Sequence, residues 1–155
     1  MRLTKLFPPL LIGLFVLSLA APAISEEDVI KERQELEKSN NKISRSLKKA
    51  VKAKDYAAIE AGAKKIIANA ERMPSLYPEG SLSKESKATK AIWDDFGAFK
   101  QHAGWMRKGA EGLAQAAAAK DAEMVKLEYD SVTSACSQCH RDYRKRSRRK
   151  GKRKK

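Results

Sequence analysis

Five consecutive residues near the C-terminus, Cys136-Ser137-Gln138-Cys139-His140, carry the clearest chemistry in this sequence. They form an unbroken C-x-x-C-H, the attachment signature of a c-type haem. Two thiols three positions apart on a helix can each add to a haem vinyl group and form a thioether. The adjoining imidazole is then directed at the iron as an axial ligand. The chain has no other cysteine. A C-x-x-C redox pair would want a βαβ setting, and nothing around the motif reads as strand. A tetrahedral zinc site would need a fourth ligand, and the only other histidine, His102, is far off in sequence. The motif therefore predicts one covalent haem c with its iron, held by Cys136, Cys139 and His140.

The opposite end of the chain bears on compartment. Residues 1–23 carry Arg2 and Lys5, then an apolar run from Leu10 to Leu17, and close on Ala21-Pro22-Ala23. This reads as a secretory signal peptide with an A-x-A-like cleavage site. The alternative is an uncleaved anchor helix. Pro8-Pro9 and the short apolar core argue against it, because a span wants about 20 apolar residues. A periplasmic destination agrees with the motif, since haem is joined to C-x-x-C-H outside the bacterial cytoplasm. An oxidising compartment would otherwise tend to close the two thiols into a disulfide. Thioethers remove that option.

About 130 residues remain after the signal, enough for one domain with one core. Few aromatics and abundant Ala, Lys and Glu favour helices over sheet. The net charge of +14 is unevenly placed. Residues 141–155 contain eleven basic side chains and one acid, Asp142, so the stretch before them is close to neutral.

Four helices are predicted, in an all-α, four-helix up-and-down bundle with the haem near the C-terminal helix. The first covers residues 27–52, with Val29, Leu36, Ile43, Leu47 and Ala50 as its apolar stripe. Asp55 caps the second, which turns Ile59, Ala63, Ile66, Ile67 and Ala70 inward and ends near Arg72, before Met73-Pro74. Residues 75–87 read as a loop. The third helix is expected over 88–119 without interruption, with Ile92, Phe96, Phe99, Ala103, Met106, Ala110 and Leu113 on one side. Asp121 caps the fourth, which places Met124, Leu127, Val132 and Ala135 in the core and runs through the haem motif to Tyr143. The expected organisation is a signal at 1–23, a bundle at 24–146 and a basic, disordered tail at 147–155.

A C-x-x-C-H on the last of four helices resembles the class II cytochromes c, the cytochrome c′ and cytochrome c556 family. The resemblance extends over Ile30-Lys31-Glu32-Arg33-Gln34 and Ala91-Ile92-Trp93-Asp94-Asp95-Phe96 with Phe99-Lys100. It continues in Cys136 to His140 followed by Arg141-Asp142-Tyr143-Arg144. It implies thioethers at Cys136 and Cys139, His140 as proximal ligand, and Arg33 with its neighbour Gln34 near the haem propionates. Arg144 matches a basic residue beside the proximal imidazole. The residue-level alternatives are an ordinary Arg33–Glu37 pair at i,i+4 and Arg144 as the first member of the tail. Lys90-Ala91 stands where the family often has Pro-Glu.

One departure falls at the distal face. Four residues after the helix-one arginine the family carries Met in the c556 type, and often Leu or another apolar residue in cytochrome c′. Here the position is Glu37, and no methionine lies on helix one. A carboxylate facing haem in an apolar bundle is costly unless protonated, paired with Arg33 or bound to iron. The preferred reading is a slightly rotated helix, with Leu36 over the iron and Glu37 at a wet edge. His102 is expected to be a partly exposed or hydrogen-bonded histidine rather than a ligand. Met106 and Met124 are expected in the core.

These features point away from an enzyme and leave three readings. One is an electron carrier that cycles the iron with redox partner proteins, acidic ones among them. The second is a five-coordinate haem that binds nitric oxide or carbon monoxide. The third is an interaction protein governed by its tail, docking on an acidic partner or an anionic membrane surface. A homodimer is among the assemblies allowed. Export and the lack of stacking aromatics in the tail argue against nucleic acid.

Overall fold

Two Lys-Asp pairs set the ends of the helices. The structure, a computed structural model, describes residues 26–146; the expected signal and the 147–155 tail lie outside the described residues. Helix α1 (Glu26–Ala53) stops at Lys54, whose φ of 54° is left-handed, and Asp55 then caps α2 (Tyr56–Arg72). The Asp55 carboxylate accepts from the Ala58 N–H at 3.0 Å. Lys120, also at φ 54°, precedes Asp121, whose carboxylate accepts from the N–H groups of Glu123 and Met124. That cap opens α5 (Ala122–Tyr143).

The chain between α2 and the next long helix departs from expectation. A 3₁₀ turn (Met73–Leu76) follows α2, with Pro74 near its start, where a missing N–H costs nothing. The predicted helix over 88–119 is divided. A single turn, α3 (Ala91–Asp94), is followed by a non-helical residue, Asp95 (φ −144°, ψ 81°), and α4 runs Phe96–Ala118. Asp95 causes the break by turning its carboxylate to the Ala98 N–H at 2.9 Å, capping α4 in place of continuing α3. Residues 87–89 are freed to pair with the end of α5. Thr89 N–H donates to Tyr143 O, Lys145 N–H donates to Lys87 O, and Ala88 bridges Arg144. That bridge is isolated, and no strand occurs among the described residues.

The four long helices form the expected bundle. Helix α4 lies between α2 and α5, and α1 packs chiefly on α2 while scarcely touching α5. The core holds Leu36, Leu47, Ile59, Ala63, Ile66, Phe99, Met106, Ala110, Leu113, Val125, Val132 and Ala135. Ile43 and Ile67 are half-buried against it. Gly109 allows α4 and α5 to approach closely: a Cβ there would lie 3.2 Å from the Val132 backbone nitrogen. Two core expectations are corrected. Met124 and Leu127 are exposed, Leu127 at 59 %, and Val125 takes the inward position. The register set by the Asp121 cap carries the inward face through Val125, Val132 and Ala135, about a quarter-turn away from Met124 and Leu127. Among the described residues no helix is long and apolar enough to cross a membrane.

Candidate functional site

Loose contact between α1 and α5 leaves a cavity of about 670 Å³ between them, floored by α4. This is the size range of small-molecule and cofactor sites. Its wall takes Ile30, Arg33, Gln34 and Glu37 from α1, and Phe99, His102, Ala103 and Met106 from α4. From α5 and its end it takes Cys136, Cys139, His140, Tyr143 and Arg144. Cys136, Cys139, His140, Arg33, Gln34, Glu37 and Arg144, the residues expected around the haem, therefore all reach one cavity.

The three motif residues differ in setting. Cys136 and Cys139 are half-buried free thiols, and Cys136 Sγ lies 3.8 Å from Met106 Sδ. Burial, and then the Glu37 carboxylate, push the Cys136 thiol up and the Cys139 thiol up to about 12. Before attachment, this upward shift disfavours the thiolate that drives oxidation and exchange. His140 is exposed, and its Nε2 lies 3.8 Å from Glu37 Oε2. Of the two residues weighed for the position over the iron, Glu37 is on the cavity wall while Leu36 is buried in the bundle core. The expectation that Leu36 faces the cavity is corrected, whereas Glu37 does lie at a wet edge of it. The Glu37 side chain is about one-third exposed, so its charge remains in reach of water.

Arg33 is 4 % exposed, in the middle of the inward face of α1. Its Nε and Nη2 donate to Leu76 O at 2.9 and 2.7 Å. Nη1 donates to Ser81 O and Ser86 Oγ, and Nη2 to Ser81 Oγ at 2.6 Å. The guanidinium also lies 4.0 Å over the Tyr77 ring. Arg33 therefore fastens the 76–86 loop to α1 and shapes the cavity rim. Burial is the main cause that raises the Tyr77 hydroxyl well above the ordinary phenol range. Nothing in the local sequence marks Tyr77, Ser81 or Ser86 as partners of Arg33. A lone arginine in an apolar helix face was the available signal, because it requires buried acceptors.

His102 differs from expectation. It is 9 % exposed, its buried Nδ1 has no hydrogen-bond partner among the described residues, and its Nε2 is 3.6 Å from Asp142. Edge contacts to Trp105 and Tyr143 hold the ring, at centroid distances of 4.8 and 5.3 Å. With Nε2 turned to Asp142, His102 supports the end of α5. His102→Ala is expected to leave the visible spectrum of the holoprotein nearly unchanged while lowering its Tm. A low-spin bis-imidazole spectrum that vanishes in the variant would instead make His102 a ligand.

The cavity accommodates a haem by the chemistry of its donors: two thiols and an imidazole at one mouth, over an apolar floor of Ile92, Phe99, Ala103 and Met106. The family model described as Cytochrome C′ matches residues 28–144, the whole bundle from the start of α1 to Arg144. The chain belongs to the cytochrome c′ family. Its cofactor is accordingly one covalent haem c with iron. Cytochrome c′ of Rhodospirillum rubrum is 31 % identical over 83 residues, covering 53 % of this chain and 56 % of that relative. Cytochrome c-556 of Rhodopseudomonas palustris is 26 % identical over 141 residues, covering 85 % of this chain and 92 % of its own. Among solved structures, cytochrome c′ from Thermochromatium tepidum superimposes with a TM-score of 0.73 at 25 % identity. That match covers 79 % of this chain and 98 % of the other. A carbon monoxide-bound variant of cytochrome c prime from Alcaligenes xylosoxidans has the same coverage and identity, with a TM-score of 0.71.

Proposed function

We propose that this cytochrome c′ family member is an exported, periplasmic electron carrier rather than an enzyme. In this reading Cys136 and Cys139 hold the haem by thioethers and His140 is its axial ligand. The observation that carries the reading is the opening of both thiols and the imidazole onto one cavity. Each thiol would hold the haem by adding across one vinyl group, its S–H proton passing to the other vinyl carbon as the C–S bond forms. No oxidant is needed. When bound, the haem supplies one-electron chemistry at its iron. Gln34 on the α1 wall is assigned to the propionate side and Arg144 to the side of His140. Arg33, expected at the propionates, directs all five of its N–H donors to the 76–86 loop and holds the cavity rim instead. Optical spectra of the ferric and ferrous protein, with and without carbon monoxide, test the reading. Reversible reduction of a covalent haem is expected; a haem inert to reduction would overturn it.

A second reading, a gas-binding haem, is favoured by Glu37. The α1 residue that faces His140 is a carboxylate and lacks the thioether sulfur of a strong axial ligand. A variant of a relative of the same fold was solved with carbon monoxide bound. A carboxylate oxygen is a hard, weak-field donor, so even direct binding of Glu37 would leave ferric iron largely high-spin. The negative charge of Glu37 favours ferric over ferrous iron. Glu37→Leu should therefore raise the midpoint potential by on the order of tens of millivolts and ease carbon monoxide binding. Redox titration and gas titration check this; no change in either would place Glu37 outside the iron's influence.

The tail at 147–155 is assigned to docking on an anionic surface. Its deletion is expected to leave helicity and the haem spectrum unchanged. Binding to vesicles containing anionic lipid should weaken several-fold at low salt, since exposed charges are screened over roughly 8 Å at physiological ionic strength. Equal binding by both forms would leave the tail without a docking role.

A further inference from the structure

We propose that the outward face of the second half of α1 is the docking surface for an acidic electron-transfer protein. Lys38, Lys42, Arg45 and Lys49 recur at intervals of four, three and four residues, and with Asn41 and Ser46 they line one shallow groove. That spacing places the four cations on a single helix face. All four are exposed, and among the described residues none is in an ion pair. Between Lys38 and Lys54 the chain carries seven basic residues and no acid. The near-neutral charge of the body thus conceals a strongly cationic stripe, about 17 Å long from Lys38 to Lys49.

The position of the stripe identifies its use. Lys38 and Asn41 line both this groove and the haem cavity, so the stripe begins at the cavity rim. A partner seated along it lies beside the redox centre, as short-range electron exchange requires. The exchange moves one electron between the two centres and no atoms. Charge complementarity calls for an acidic partner. A second copy of this chain, paired face to face about a two-fold axis, would set cations against cations. A bilayer is disfavoured because the apolar residues Leu36, Leu47 and Ala50 of α1 are buried in the core and offer no anchor. Residues 38–54 contain no aromatic for stacking on bases.

The inference rests on the electron-carrier reading, and the experiment separates the two. Full-length holoprotein and the triple variant Lys42→Glu/Arg45→Glu/Lys49→Glu are compared, leaving the cavity residue Lys38 in place. The probe is a reduced plant-type [2Fe–2S] ferredoxin, an acidic one-electron donor, mixed with the ferric protein in stopped flow. At low ionic strength the second-order rate constant is expected to fall at least tenfold in the variant, and the two proteins should converge at high salt. Reduction by the uncharged donor hydroquinone, the haem spectrum and the gel haem stain should be unchanged. The milder variant Lys42→Gln/Arg45→Gln/Lys49→Gln should fall in between. An unaltered ferredoxin rate would overturn the assignment, as would a loss confined to binding of phosphatidylserine vesicles or one produced only by deleting 147–155. Absence of covalent haem or of reduction in the unmodified protein would instead overturn the carrier reading itself.

Discussion

Replacing both Cys136 and Cys139 by alanine is expected to abolish covalent haem. The purified protein should lose its haem stain on a denaturing gel, and its mass should lack the increment of one haem. Single replacements should leave weakened holoprotein, because one thioether and the His140 bond remain. The expectation follows from the count of thiols and from where they stand. The chain has two cysteines, both open to the same cavity, and no third sulfhydryl can substitute. In the double variant only the coordinate bond from His140 and the apolar floor would hold a haem, and neither survives boiling in detergent. Full retention of the stain would overturn the attachment assignment.

Arg33→Ala is expected to cause the largest loss of stability. Five guanidinium hydrogen bonds end on Leu76 O, Ser81 O, Ser81 Oγ and Ser86 Oγ, in a region where both serines are buried. Removing the donors strands several buried acceptors at once and leaves a void against the Tyr77 ring. Losses of this kind amount to roughly 3–5 kcal/mol. A domain of this size should then melt about 10–20 °C lower. Arg33→Lys should recover only part of the loss, since a single ammonium offers three donors in place of a planar fork of five. Thermal unfolding followed by far-UV circular dichroism measures both. A shift below about 1 kcal/mol would show that the loop holds its place without Arg33.

Much of the fold was legible before any coordinate. Asp55 and Asp121 read as caps because a short carboxylate beside a periodic apolar run can satisfy exposed helix N–H groups, and both do so. Asp95 has the same chemistry but was submerged in a longer pattern, since Ile92, Phe96 and Phe99 continue a helical period across it. Its carboxylate nevertheless turned to the Ala98 N–H and capped a new helix, which decided in favour of the break. Met124 and Leu127 misled for a related reason. They are apolar, but their phase continues into Ser131, Ser134 and Gln138, whereas the phase of Val125 continues into Val132 and Ala135. Following the stripe one turn further would have chosen correctly.

A covalent haem c was legible in sequence alone, because the C-x-x-C-H proposed to hold it is local: its spacing is set by one helical turn and needs no distant residue. The bundle class followed for the same reason, from periodicity and caps. Tertiary structure alone decided what faces the motif. Whether Leu36 or Glu37 meets the cavity depends on the rotation of α1, and neighbouring positions differ by about 100° around a helix. Pairing of Arg33 with the 76–86 loop spans more than forty residues of chain and leaves no periodic trace. The stripe from Lys38 to Lys49 was visible as letters, but only the packing of α1 on α2, with its other side at the cavity rim, made it a surface. Burial and facing are properties of assembled helices, and one strand of sequence does not contain them.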